Sequence, residues 1–169
     1  MADVFNEQLV KRQATVRDKF FKSIIIFNWI LLFTILTFLL NFIGIVISLG
    51  IGYGAYILLS RLNKEYEYVF TNGELDIDVI YNKSTRKRVF NGYVKDFEIM
   101  AHVEDKSHIN TFSAADERND YSTGIVSDNS YIFLAKYNNK RTAIIIEPNE
   151  AMLGAISKVL TRRGFHPKR

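Results

Sequence analysis

Hydrophobic and polar positions follow three different patterns along this chain. From Ser23 to Ser60 there is no alternation, and 38 consecutive residues carry no charge. From Glu65 the period is two: Tyr66, Tyr68 and Phe70 alternate with polar neighbours, and after Asn72-Gly73 the positions Leu75, Ile77, Val79 and Tyr81 alternate with Glu74, Asp76 and Asp78. Near the C-terminus the period turns helical, with Met152, Leu153, Ile156, Val159 and Leu160 on one stripe.

A spanning helix needs about 20 apolar residues to cross a hydrocarbon core about 30 Å thick, so the uncharged block is too long for one span and sufficient for two. The break is expected at Leu40-Asn41-Phe42-Ile43-Gly44, which places the spans near Phe20 to Leu40 and Phe42 to Leu59. A cleaved signal is excluded by the length of the apolar run and the absence of a small-residue cleavage site. In residues 1–22 the pattern Val4, Phe5, Leu9, Val10 predicts a short amphipathic helix on the membrane surface or else a frayed arm. Lys11, Arg12, Arg17, Lys19 and Lys22 precede the first span, Arg61 and Lys64 follow the second, and the tip carries no basic residue. The positive-inside rule then predicts a multi-pass protein of the inner (plasma) membrane with both termini cytoplasmic. Trp29, Tyr53 and Tyr56 are candidate headgroup anchors.

Small residues recur at four-residue spacing in the second span: Gly44, Ser48 and Gly52 on one stripe, Gly50 and Gly54 on another. Such stripes allow close helix packing, within the hairpin first and in a homodimer as the alternative. Asn28 is the one strongly polar side chain well inside a span, and an ion pathway has no visible machinery.

In the polar region, residues 61–169, Asn72-Gly73 between alternating segments predicts a tight hairpin. Further strands are expected at Arg86 to Phe90 and Lys95 to Val103. A polar loop follows from Glu104 to about Ser122, then a weak strand near Gly124 to Val126 and a second tight hairpin, Tyr131 to Tyr137 and Arg141 to Glu147 around Asn138-Asn139. Asn149 is a good N-cap for a C-terminal helix of about residues 150–163, with Arg162 and Arg163 at its negative end and Gly164 as its cap.

Net charge is +4, spread nearly evenly on either side of the apolar block, which argues against a nucleic-acid-binding surface. With no cysteine there is no disulfide, thiol nucleophile or zinc-cysteine site. Asp76 and Asp78 share a strand face as an acid/base pair might, yet the solvated side of a hairpin has the same pattern. Asp105, Asp116, Glu117 and Asp120 match no calcium loop, and His102, His108 and His166 lack metal-ligand spacing. Gly50-Ile51-Gly52-Tyr53-Gly54 lies inside an apolar span and cradles no phosphate. No catalytic, cofactor or metal residue is therefore expected. The strongest candidate for contact with anionic lipid is Lys83, Arg86, Lys87 and Arg88, supported by Lys140 with Arg141 and by Arg162, Arg163, Lys168 and Arg169.

About seven antiparallel strands followed by one amphipathic helix, over Glu65 to Arg163, resembles the pleckstrin-homology (PH) superfold, an α+β arrangement in which a bent barrel or sandwich is capped by that helix. The segments Glu65 to Asp78, Asp96-Phe97-Glu98-Ile99-Met100 and Glu147 to Leu153 are similar to a family of small uncharacterised bacterial two-span membrane proteins with a cytoplasmic PH-like domain. The expected organisation is an arm (1–22), a transmembrane hairpin (23–60) and a PH-like domain (61–169). The expected role is a membrane-anchored binding or scaffolding module with protein partners, not an enzyme. The alternative is a small accessory subunit of a membrane transport or secretion complex acting through its glycine-rich helix.

Overall fold

The computed structural model describes residues 4–160 and 164–167. It divides into two compact units, one made of Ala14–Lys64 with Tyr81–Ser84 and the other of the rest of the described chain.

The first unit is a helix pair, α1 (Val16–Leu40) and α2 (Phe42–Ser60), each long and apolar enough to cross a membrane. The break falls at Asn41, whose φ of 50° lies in the left-handed region that asparagine tolerates better than most residues. α1 begins four residues before Phe20 because Thr15 and Asp18 form a capping box: the Thr15 hydroxyl accepts from the Asp18 amide at 3.2 Å, and the Asp18 carboxylate accepts from the Thr15 amide at 2.9 Å. Thr15-Val16-Arg17-Asp18 carries that signature in the sequence.

Three polar side chains of the two helices bond within the pair, while the buried Thr37 hydroxyl has no partner. Asn28 donates to the Ile24 carbonyl at 3.0 Å, Ser48 to the Gly44 carbonyl at 2.6 Å, and the Trp29 indole to the Ser48 carbonyl at 3.0 Å. Trp29 thus links the two helices. Tyr53 and Tyr56 remain exposed.

The second unit holds two sheets. One is β1 (Phe5–Lys11), β2 (Lys64–Thr71), β3 (Glu74–Tyr81) and β4 (Thr85–Tyr93) in that order. The other comprises β5 (Ile99–His102), β6 (Glu117–Asp120), β7 (Tyr131–Tyr137), β8 (Lys140–Ile146) and β9 (Phe165–His166), in the order β6-β8-β7-β5-β9. Asn72 and Gly73 (φ 50° and 93°) and Asn138 and Asn139 (φ 50° and 61°) make the expected tight turns.

Several expectations are corrected. The N-terminal arm is neither a surface helix nor frayed: β1 pairs antiparallel with β2 along its whole length, from Phe5↔Thr71 to Lys11↔Glu65. Its inward residue Val10 is buried while Phe5 and Leu9 are exposed, a period of two that seven residues alone do not distinguish from a helical one. Lys95 to Val103 is broken by a 3-10 turn at Val94–Asp96 before β5. The loop from Glu104 to Ser122 contains a 3-10 turn (Lys106–His108), α3 (Ile109–Ser113) and β6, whereas Gly124 to Val126 forms no strand. The nine described strands include two parallel pairings, β6 with β8 and β5 with β9, where seven antiparallel strands were expected. β6 reads Glu-Arg-Asn-Asp, so its pairing rests on backbone bonds to β8 and leaves no hydrophobic signature.

α4 (Glu150–Val159) starts as expected, with the Asn149 side chain accepting from the Met152 amide at 2.8 Å, and it buries Met152 and Ile156. It ends earlier than residue 163, at the extended residue Leu160. Gly164 does not cap it, and its carbonyl instead accepts from the Met100 amide at 2.7 Å. Arg162, Arg163, Lys168 and Arg169 lie outside the described residues. Tyr68, Phe70, Leu75, Ile77, Phe90, Met100, Phe133, Ile144 and Ile146 are fully buried. Phe133 stacks on Phe97 with ring centroids 4.2 Å apart and meets the edge of Phe90 at 5.3 Å.

Candidate functional site

The acid pair and the basic cluster singled out in the sequence meet on one face of the first sheet. Arg88 Nε donates to Asp78 at 2.5 Å, its Nη1 to Asp76 at 2.8 Å, and Arg86 Nη2 donates to Glu67 at 2.7 Å. Asn91 adds donors to Glu74 at 2.6 Å and Asp76 at 2.5 Å. The Arg88 guanidinium is pushed further above its usual range, first by its bond to Asp78 and then by the charge of Asp76. Asp78 and Glu67 are nearly buried on this face, so each arginine neutralises a carboxylate that water does not reach freely. Arg88 and Asn91 share the acidic face although Phe90 between them is buried, so alternation slips near Val89, as at a β-bulge.

This geometry splits the basic cluster. Arg86, Lys87 and Arg88 are on β4, where a strand was expected, and the two arginines are engaged by acids. Lys83 occupies a two-residue turn with Asn82 (φ 58° and 48°), and the Asn82 amide donates to the Asn63 carbonyl at 3.0 Å, three residues beyond the end of α2. At the other hairpin, Lys140 is bonded to Glu117 and Arg141 to Glu98 at 2.7 Å.

The histidines separate as well. His102 is buried, its Nε2 3.2 Å from the Ser127 carbonyl. The rings of His108 and His166 lie with centroids 4.1 Å apart, tilted by 36°, and His108 Nδ1 lies 3.1 Å from Asp105. With Ser107 and Pro167 they line an open cavity of about 470 Å³. Asp105 is held down at about 2 by the Ser107 hydroxyl, then the Ser107 amide, then His108. Among the described residues no group of three or more acidic, histidine or cysteine side chains could hold a metal ion.

Sequence reading passed over Glu147. Buried at the end of β8, it accepts from the Thr123 amide at 2.9 Å and from the Ser127 and Ser130 hydroxyls at 2.9 and 3.0 Å. Tyr68 completes the arrangement: its hydroxyl, kept protonated by burial, donates to the Tyr121 carbonyl at 2.5 Å and accepts from the Glu147 amide at 3.3 Å. Gln8 of β1 donates to the Glu147 carbonyl at 2.8 Å and accepts from the Asn149 amide at 2.6 Å, tying the N-terminal strand to the start of α4. The one available signal was a lone carboxylate at the end of the apolar run Ala143-Ile144-Ile145-Ile146.

In the apolar helix pair the two stripes part. A Cβ at Gly44 would stand 2.0 Å from the Leu36 carbonyl oxygen, and one at Gly52 would stand 2.6 Å from the Trp29 ring. Ser48 is buried between them in sequence, whereas Gly50 and Gly54 have no atom within 4 Å of such a Cβ.

No curated protein and no solved structure matches the chain. Two apolar helices, two packed sheets and a closing helix agree with the matching family model, described as "Bacterial PH-like domain (DUF6106)", over residues 2–166. That match spans almost the whole sequence, helices included, and the chain belongs to this bacterial PH-like family.

Proposed function

We propose that this chain is a membrane-anchored PH-like binding and scaffolding module at the cytoplasmic face of the inner membrane, not an enzyme. The observation that carries the reading is the β1–β2 ladder. β1 precedes both apolar helices, β2 follows them, and the two pair residue for residue in one sheet. A chain that leaves and rejoins the same sheet crosses a bilayer an even number of times, which supports two spans over one. Five basic residues before the uncharged run that starts at Ser23, two of them ahead of α1 and three in its first turns, with Arg61 and Lys64 after α2, favour the cytoplasm as the shared side. PH-like domains are generally non-catalytic binding modules, and tethering raises the local concentration of such a module for membrane-embedded partners. Within this reading, contact with anionic lipid falls to Lys83 and Lys87 rather than to Arg86 and Arg88, whose charges the sheet already uses.

The test exploits the lack of cysteine. Single variants Glu7→Cys, Lys136→Cys and Phe42→Cys are treated with a membrane-impermeant maleimide in intact and in permeabilised cells. Glu7→Cys and Lys136→Cys are expected to react only after permeabilisation, and Phe42→Cys in intact cells. Reaction of positions 7 and 136 from opposite sides, or of both from outside, overturns the reading. The accessory-subunit alternative, and homodimerisation with it, rests on the uncovered Gly50 and Gly54. It predicts that Gly54→Leu abolishes assembly with a membrane partner.

A further inference from the structure

The segment from Tyr121 to Ser127 carries no charged residue, and its apex presents Ile125 and Val126, 54% and 57% exposed, side by side. It is not a slack loop. Both of its flanks are fastened to the buried Glu147 carboxylate, Thr123 by its amide and Ser127 by its hydroxyl. The Tyr121 carbonyl accepts from Tyr68, the Ser127 carbonyl lies against His102, and Asp120 accepts from both the amide (3.0 Å) and the hydroxyl (2.5 Å) of Ser122. Gly124, at φ 85°, allows the sharp bend that turns the apex outward. The fold thus sets a polar frame behind two aliphatic side chains that water solvates poorly.

The Thr123 carbonyl accepts from the Gln13 amide at 2.8 Å. Gln13 precedes the first residue of α1 by three positions, and three residues of chain reach at most about 10 Å. The first turns of α1, Val16 to Lys22, carry Arg17, Asp18, Lys19 and Lys22 and suit the headgroup layer, and its uncharged run starts at Ser23. Chain length alone therefore keeps the flank of this loop within reach of the layer in which α1 begins.

We infer that Ile125 and Val126 insert into the headgroup region of the same bilayer that the helix pair spans, a second and non-covalent attachment that fixes the orientation of the PH-like domain. The inference rests on the membrane-anchored reading above. Lipid is the occupant rather than a protein because two aliphatic side chains fall far short of the roughly 1,000 Å² that a specific protein interface needs. They match the shallow burial by which interfacial segments bind membranes.

The experiment places an environment-sensitive fluorophore on single cysteines of the full chain in nanodiscs, with and without lipids carrying a quencher near the headgroup or deep in the acyl chain. Val126→Cys is the test position, Ile47→Cys in α2 the membrane control and Lys136→Cys on β7 the solvent control. The Val126 probe is expected to shift to the blue and lose most of its emission to the shallow quencher, the Ile47 probe to respond to the deep one, and the Lys136 probe to neither. If Ile47 is quenched while Val126 behaves like Lys136, the inference is wrong and the anchored reading stands. If Ile47 is not quenched, the anchored reading fails and takes the inference with it. Ile125→Cys repeats the measurement should the Val126 variant not fold.

Discussion

The helix pair and the sheet unit are packed with opposite polarity. α1 buries none of its residues and α2 buries only Gly44 and Ser48, so the inside of the pair is small and hydrogen-bonded while its outside is Phe, Leu and Ile. The sheet unit buries Tyr68, Phe70, Phe90, Phe133 and Ile144 and turns Arg86, Arg88 and their acids outward. On the membrane-anchored reading, the same residue types change sides within one chain because the solvent changes. In lipid, bulky apolar groups gain nothing by leaving the surface, and helix contact depends on close approach. In water, burying them is the main stabilising term.

The sharpest way to break this comparison is to truncate one phenylalanine in each unit. Phe133→Ala removes a ring stacked on Phe97 in a closed core and is expected to destabilise by about 3–5 kcal/mol. Phe38→Ala removes a ring that is 86% exposed and is expected to change stability by about 0.5 kcal/mol or less. Denaturation of the full chain in mild detergent, followed by near-ultraviolet circular dichroism, reads both. A large effect at Phe38 would mean that this face packs against protein rather than lipid.

Glycine gives the second contrast, this time within α2. Gly44→Ala drives a methyl group into the Leu36 carbonyl and is expected to cost about 1–3 kcal/mol in pairing of the helices. Gly54→Ala meets nothing and is expected to leave the pair unchanged. Energy transfer between labels on single cysteines near the two helix ends distinguishes them. Equal effects at the two positions would show that something outside this chain covers the Gly54 face.

What was legible in the sequence follows the same division. The break at Asn41, the turns at Asn72-Gly73 and Asn138-Asn139, and the start of α4 at Asn149 are local events, written in residues that tolerate positive φ or cap a helix. β1 was misread because its partner β2 lies 60 residues further along, and only that pairing decides between strand and helix. β6 left no trace because a parallel edge strand of four polar residues depends on backbone bonds alone. At the candidate site the residue types were visible and their pairing was not. Asp76 and Asp78 read as an acid pair, and Arg86 and Arg88 as part of a basic cluster, until the sheet set them against each other. Glu147 was missed since nothing in a single carboxylate tells whether three donors will converge on it.

Protonation tests the same comparison most gently. Between Ser23 and Ser60 there is no carboxylate, so below pH 5 any change in the protein must originate outside the spans. Asp105 is a group whose acid response is clearly displaced. The Ser107 hydroxyl and amide and the neighbouring His108 hold it down at about 2, against an ordinary value near 3.8. A carboxylate depressed on folding contributes stability that is fully present above its ordinary value and lost as pH falls through the folded one. The turn at Lys106–His108 should therefore keep its Asp105 cap down to about pH 2, with the loss complete only below that. Because the group lies at the surface, the effect on global stability is small, and the proper readout is local. The Ser107 amide resonance, followed from pH 6 to pH 1.5, is expected to shift with a midpoint near 2 in the wild type and to lose that transition in Asp105→Asn. A midpoint near 4 would mean that the hydroxyl, amide and imidazole do not converge on Asp105 in solution.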